Sequence, residues 1–365
     1  MVVRTVGAWW LLYVGDRNGK SLHDMLASWD GQWMLALAGR GYDDIPAHLT
    51  DAHGGHSPDT AYAFFPGYPM VVRALDALPG MSTYAAAIAI SLVAGAAATV
   101  AAYRIGRWCA LRRWPADEDR GDRTGLLMAV LFAATPMSVV LTMAYTEAIY
   151  CAFAGWALWM ILEKRWIAAG LLTVCAGATR TTAVGLIAVL LIAAFLARRD
   201  GWRPWVGGAI APLGWLGWIV FVGIRVGAPN GWFQVQSDGW DTRFDVGLST
   251  LRYLRDTLSL NQTAGDVFTA WVILATVCLI VLAFVTRLPW QVSLYGTLAA
   301  STVLLSTGLM NSRVRLLLPA FVLLTPVALA LAQRSRTTQV TVGVATTVTS
   351  AWFGAYMLGI YPYAI

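Results

Sequence analysis

Apolar residues along this chain gather into long runs, and the charged ones collect in the joints between them. A run of about 20 apolar residues is what an α-helix needs to cross the hydrocarbon core of a bilayer. On that measure the sequence predicts about eleven transmembrane helices, roughly at 3–14, 82–102, 124–143, 146–162, 166–180, 181–197, 205–226, 266–286, 290–309, 315–332 and 339–360. The first run is short for a free span. The joints around residues 143–147 and 178–182 leave almost no linker, which predicts broken or re-entrant helices there.

Two polar stretches are long, 15–80 and 228–265. Connections of that length usually carry a function or secondary structure of their own. In the first, Leu22, Met25, Leu26, Trp29, Trp33, Ala36 and Leu37 recur at helical spacing between Ser21 and Arg40. One apolar stripe of this kind predicts a helix lying in the membrane surface. His23 and Asp30 project together from one side of that stripe.

Composition agrees with the pattern. Of 365 residues, 58% are hydrophobic and only 13% charged, and the mean hydropathy is +0.60. A soluble domain is nearer half apolar and a quarter charged. The chain therefore reads as an all-α, polytopic integral membrane protein forming one transmembrane domain over 1–365. The same figures exclude a soluble enzyme, a disordered tail or a nucleic-acid-binding domain, despite a pI near 9.3. Lys20 and Lys164 are the only lysines among 26 basic residues. Arginine in place of lysine, with abundant Gly, Ala and Val, suits a GC-rich bacterial coding sequence. Cys109, Cys151, Cys175 and Cys278 lie in or beside apolar runs without a CxxC pair, so neither a disulfide framework nor a zinc site is indicated. No cleavable signal peptide is expected, because the first apolar stretch leads into Asp16-Arg17 without a small-residue cleavage site.

Charge gives the expected sidedness. With the N-terminus inside, most basic residues fall on the inner face, most acids fall on the outer face, and every inner loop after the N-terminus carries Arg or Lys. Both long stretches are then external. On that outer side stand Trp29-Asp30-Gly31, Tyr42-Asp43-Asp44, Phe64-Phe65-Pro66-Gly67-Tyr68-Pro69, Tyr145-Thr146-Glu147, Arg180 and Asn311-Ser312-Arg313-Val314-Arg315.

Trp29-Asp30-Gly31 followed by Phe64 to Pro69, then Thr135-Pro136 and Ala144-Tyr145-Thr146-Glu147, resembles the PIG-V-like mannosyltransferases. These are relatives of the second mannosyltransferase of GPI-anchor synthesis within the GT-C membrane glycosyltransferases. The segment Trp232–Trp240, with Gln234 and Gln236, and the arginine-rich turn before Leu316–Pro319 extend the resemblance over most of the chain. It implies a GT-C fold, a polyprenyl-phosphate mannose donor and an active site on the external face of the plasma membrane. A glycolipid or cell-envelope glycan would be the acceptor, and in a bacterium a phosphatidylinositol mannoside or lipomannan is a more natural acceptor than a GPI anchor. No cofactor is implied, and no Gly-rich phosphate loop is present.

Inverting transfer needs a carboxylate to take the acceptor's proton, a contribution of about 10²–10⁴-fold. Asp30 is the expected base; the bland alternative is an Asp wetting the helix's polar edge. Asp43 and Asp44 offer a second base or hydrogen bonds to the sugar, or form a solvated turn. Glu147, at the outer start of a span, either contacts the sugar or an arginine, or simply favours the helix N-terminus. Arg313 and Arg315, with Arg180 as a weaker third, suit a forked grip on the donor phosphate; anchoring to lipid headgroups is the alternative. His53-Gly54-Gly55-His56, flanked by Asp51 and Asp59, reads as a flexible polar loop before it reads as a metal site. Phe64 to Pro69 is expected to form a rigid elbow that either shapes a substrate groove or only packs. The rival class is a transporter or flippase of a lipid-linked sugar, or a non-catalytic partner of such a transferase. Transporters place ionisable groups near the bilayer midplane, whereas here the unusual charges cluster at outer helix ends.

Overall fold

The computed structural model describes residues 2–365 and is helical throughout, with no β-strand among them beyond an isolated bridge between Phe244 and Ser306. The first long polar segment follows α1 (Val2–Arg17) and folds as α2 (Leu22–Leu26), α3 (Asp30–Arg40), a short 3₁₀ turn (Thr60–Ala63) and α4 (Gly67–Asp76). The bundle continues through α5 (Thr83–Arg113), α6 (Glu118–Ala133), α7 (Glu147–Leu162), α8 (Trp166–Gly177) and α9 (Ala183–Leu196). Next come α10 (Arg203–Ile210) and α11 (Leu213–Val226), then α12 (Gly231–Trp240) and α13 (Leu248–Ser259), which give the second long segment its own structure. The chain closes with α14 (Ala264–Val285), α15 (Trp290–Leu304), α16 (Arg313–Leu316), α17 (Thr325–Leu331) and α18 (Arg336–Gly359).

Each apolar run falls on helix, but not every run yields a full span. Among the described residues, three helices are long and apolar enough to cross a membrane by length and composition: Thr83–Arg113, Arg203–Val226 and Ala264–Val285. A fourth candidate is a pair, Met310–Leu316 and Leu318–Leu331, bent by 57°. Helix starts follow ordinary capping chemistry: Ser82, Asp117, Thr263 and Ser335 each accept a hydrogen bond from a first-turn N–H.

Small residues bring the helices together. On α5 the buried face is Ala86, Ala94, Gly95, Ala98, Ala101, Ala102 and Gly106, which lets α6 and α7 approach closely. Large apolar side chains instead point outward, among them Val93, Leu126, Ile224, Trp271 and Val285. In water that girdle would be an aggregation surface; against lipid it is solvated.

The predicted continuous helix from Ser21 to Arg40 is broken. α2 ends at Leu26, and Trp29 adopts a positive φ of 55° before α3 begins at Asp30. Its stripe faces the bundle: Met25, Leu26, Trp33 and Leu37 are buried in the core. The break is fixed from outside, since Ala144 N–H donates to Leu26 O (3.0 Å) and the Tyr145 hydroxyl donates to Ser28 O (3.0 Å). Tertiary hydrogen bonds here outweigh a helical pattern that periodicity alone would continue.

Candidate functional site

Four distant segments meet where the two linkerless joints end. Glu147 opens α7 and Arg180 lies in the joint between α8 and α9. Asp30 opens α3, and Arg315 sits on the short arm of the bent pair. Arg315 Nη2 contacts Asp30 Oδ2 at 2.7 Å, and its Nη1 donates to Glu147 Oε1 at 3.0 Å. Arg180 Nη1 reaches the same Glu147 oxygen at 2.7 Å and also donates to Thr146 Oγ1 at 3.0 Å. The result is one chain of alternating charge, Asp30–Arg315–Glu147–Arg180.

Burial grades along that chain. The Glu147 side chain is wholly enclosed, Arg315 is 7% exposed, Arg180 14% and Asp30 30%. The accessible carboxylate is therefore Asp30, and the enclosed one holds the arginines. Arg315 is further fixed by donating from Nε to Ile365 O (2.6 Å) and by lying 5.1 Å over the Tyr145 ring. A planar guanidinium held on three sides keeps one orientation.

Asp30, Arg180 and Arg315 stand on one wall of a cavity of about 260 Å³, with Glu147 behind them. The opposite wall is aromatic: Phe64 stacks on Trp33 (5.2 Å between ring centroids) and meets Trp240 edge-on (5.4 Å). Thr146, Thr179, Thr181, Thr182, Thr302, Ser306 and Thr307 line the remainder with hydroxyls. Its roof is a junction between the second long segment and the end of α15, where Thr307 N–H donates to Arg243 O (2.8 Å) and Asp245 N–H to Leu305 O (3.0 Å). Hydrogen bonds from Ser249 and Gly247, with the charge of Arg313 behind them, hold the Asp245 carboxyl below the usual carboxylate range.

The expected elbow at Phe64–Pro69 both packs and shapes the groove. Gly67 N–H donates to Ala178 O at 2.7 Å, and a Cβ at Gly67 would stand 2.6 Å from that oxygen, so the approach requires glycine. Gln236 Nε2 donates to Ala63 O (2.9 Å) and ties α12 to the same turn. Phe64 and Phe65 are thereby presented to the cavity.

Other expected residues stand elsewhere or do other work. Asp43 and Asp44 do not line the cavity; Asp43 faces Arg225 at 3.9 Å and accepts from the Tyr62 hydroxyl at 3.4 Å, and Asp44 lies 4.0 Å from Arg40. Arg313 does line it, but its nitrogens donate to Val303 O, Ser306 O and Met310 Sδ, so it braces the 303–310 stretch before it can grip a ligand. His23 packs on the Tyr84 ring, 4.0 Å between centroids, away from Asp30. His53 faces Asp241 at 3.3 Å, and His56 Nδ1 is 2.7 Å from Leu49 O. The hydroxyl lining was not anticipated, although Thr179, Thr181 and Thr182 around Arg180 form a polar run between two apolar helices.

A family model for glycosyltransferase family 87 matches residues 65–312, more than half of the chain. The chain belongs to glycosyltransferase family 87. No curated protein matches this family 87 chain. Its fold is similar to that of ArnT from Cupriavidus metallidurans bound to undecaprenyl phosphate, at 15% identity and a TM-score of 0.53, covering 94% of this chain and 62% of that one. The apo structure of the same ArnT gives 16% identity and a TM-score of 0.50, covering 84% and 55%. This family 87 chain thus spans under two thirds of the length of those structures and shares their GT-C membrane fold.

Proposed function

We propose that this protein is an inverting glycosyltransferase that moves mannose from polyprenyl-phosphate mannose to a hydroxyl of a lipid-linked or cell-envelope glycan. The transfer would take place at the external face of the plasma membrane. The observation that carries the reading is the Asp30–Arg315–Glu147–Arg180 chain on the wall of a hydroxyl-lined, aromatic-faced cavity. A polyprenyl-phosphate donor also suits the likeness to ArnT, a structure of which holds undecaprenyl phosphate. The mannose preference rests on the PIG-V-like motifs, above all Trp29-Asp30-Gly31 and Phe64 to Pro69.

Arg180 and Arg315 bring guanidinium N–H groups to the cavity wall, chemistry suited to a donor phosphate. Arg315 pairs with Asp30, so a phosphate competing for the same guanidinium releases Asp30 as the substrate arrives. The Asp30 carboxylate then takes the acceptor hydroxyl's proton while that oxygen bonds to the anomeric carbon. The bond from that carbon to the phosphate oxygen breaks, and polyprenyl phosphate leaves with the electron pair, its charge met by Arg315 and Arg180. Attack opposite a β-linked phosphate yields an α-mannoside.

A transporter or flippase of the same lipid-linked sugar remains the rival class. Purified protein in lipid nanodiscs, given synthetic polyprenyl-phosphate [³H]mannose and envelope glycolipid extract, is expected to produce labelled mannolipid. Vesicle-reconstituted protein that moves the donor between leaflets without any transfer would overturn the enzyme reading. Transfer from another polyprenyl-phosphate sugar in place of mannose would overturn the mannose assignment alone.

A further inference from the structure

A second cavity, of about 740 Å³, lies away from the one just described. It lies at the other ends of the same helices: Glu147 and Arg180 stand at the start of α7 and beyond the end of α8, whereas this cavity is bounded by Leu162, Lys164, Trp166 and Leu196. Sixteen residues of α7 separate the two by about 24 Å. The charge pattern of the sequence assigns this end to the cytoplasmic face.

Arg112, Arg113, Lys164 and Arg287 line it, against a single carboxylate, Asp200, that Lys164 already meets at 3.2 Å. Arg113 donates to Thr286 O at 3.2 Å and keeps further N–H groups to offer. The indoles of Trp108, Trp166 and Trp290 complete the rim, a composition typical of the bilayer interface.

Backbone conformation gives a second, independent observation. α7 and α14 end in the same way. Arg165 N–H donates to Met160 O and Lys164 N–H to Ile161 O; Leu288 N–H donates to Ala283 O and Arg287 N–H to Phe284 O. This pairing requires a left-handed residue just past the helix, a place usually taken by glycine. Here Lys164 (φ 56°) and Arg287 (φ 53°) occupy it, and both face the cavity. Attraction to the helix C-terminus favours a cation in the last turn, but it does not require one at the strained position. Two turns bear that strain and deliver two cations into one basin.

We propose that this basin seats the phosphate headgroup of an anionic phospholipid from the cytoplasmic leaflet, with its acyl chains running along Leu196 and Leu288. The chemistry is that of basic pockets between transmembrane helices, where each Lys or Arg contributes about a fivefold preference for an anionic lipid. The site is separate from the transfer chemistry and stands whether or not that reading holds.

The test compares full-length protein in nanodiscs of phosphatidylglycerol and of phosphatidylcholine, by native mass spectrometry and thermal melting. Retained phosphatidylglycerol and a higher melting temperature in that lipid are expected. Arg287→Gly and Lys164→Gly remove the cations while relieving the left-handed backbone. Each is expected to melt higher than the parent in phosphatidylcholine, yet to retain phosphatidylglycerol about fivefold less well, and the pair about 25-fold less well. Equal retention of the two lipids, or a double variant that keeps phosphatidylglycerol undiminished, would overturn the proposal. Displacement of the lipid by millimolar inorganic phosphate would identify a free-anion site and defeat the lipid assignment.

Discussion

Ionising a carboxylate in an apolar bundle is costly unless cations face it, and Glu147 has two, Arg180 at 2.7 Å and Arg315 at 3.0 Å. Removing one member of a buried pair leaves the others uncompensated, typically at about 3–5 kcal/mol. Glu147→Gln keeps the shape and loses the charge, so a loss of that size, read as a lowered melting temperature in detergent, is expected with donor binding and transfer both impaired. Asp30 is the opposite case. It is the most exposed member of the chain, and Asp30→Asn is expected to leave the protein folded and donor binding as tight or tighter, since Arg315 is freed for the phosphate, while transfer falls by at least 10²-fold. Near-normal turnover in that variant would remove Asp30 as the base. The arginines divide by their partners. Arg315→Ala deletes charge-assisted hydrogen bonds, worth about 1.5–3 kcal/mol each, and is expected to weaken donor binding by about tenfold or more. Unchanged donor affinity would exclude Arg315 from the phosphate site.

At the scale of elements, the site depends on joints more than on helices. The turn at Phe64–Gly67 is pressed against Ala178, the break at Ala27–Trp29 is clamped to Ala144 and Tyr145, and the stretch 303–310 is held by Arg313. Each clamp aligns a different wall of the cavity. Gly67→Val forces a side chain onto the Ala178 carbonyl, an overpacking that costs about 1–3 kcal/mol. The expected outcome is a raised KM for the donor, because Phe64 and Phe65 move with the turn, while Asp30 and its proton transfer stay in place. Equal effects on kcat alone would place the elbow outside the binding surface.

Across the whole molecule, the charge chain beside the cavity is assembled from residues 30, 147, 180 and 315, brought together by an α-helical bundle whose outward face is apolar. If arginines supply the countercharge for the donor phosphate, as proposed, no metal need bridge Asp30 and Glu147, and transfer is expected to survive treatment with EDTA. Chelator-sensitive turnover restored by Mg²⁺ or Mn²⁺ would return attention to the acidic turns around Asp43 and Asp51.

Much of this could be read along the chain, because lipid imposes a rule that acts locally: every backbone polar group must be satisfied within its own helix, so long apolar runs become helices. The helical class follows from that rule, and Asp30, Glu147 and Arg315 stand out by residue chemistry as charges beside apolar runs. Other features depended on partners far away in sequence. Periodicity carries a helix through Ser21–Arg40, but hydrogen bonds from residues 144 and 145 break it and turn Asp30 toward Arg315. Asp43 and Asp44 have the right chemistry but fold away from the cavity, and Arg313 is occupied by carbonyls that only packing brings near. Local sequence sets what each residue can do, since propensity and polarity act over a few positions. Which residues do it together is decided in three dimensions, because ion pairs and cavity walls form between segments that the chain itself keeps apart.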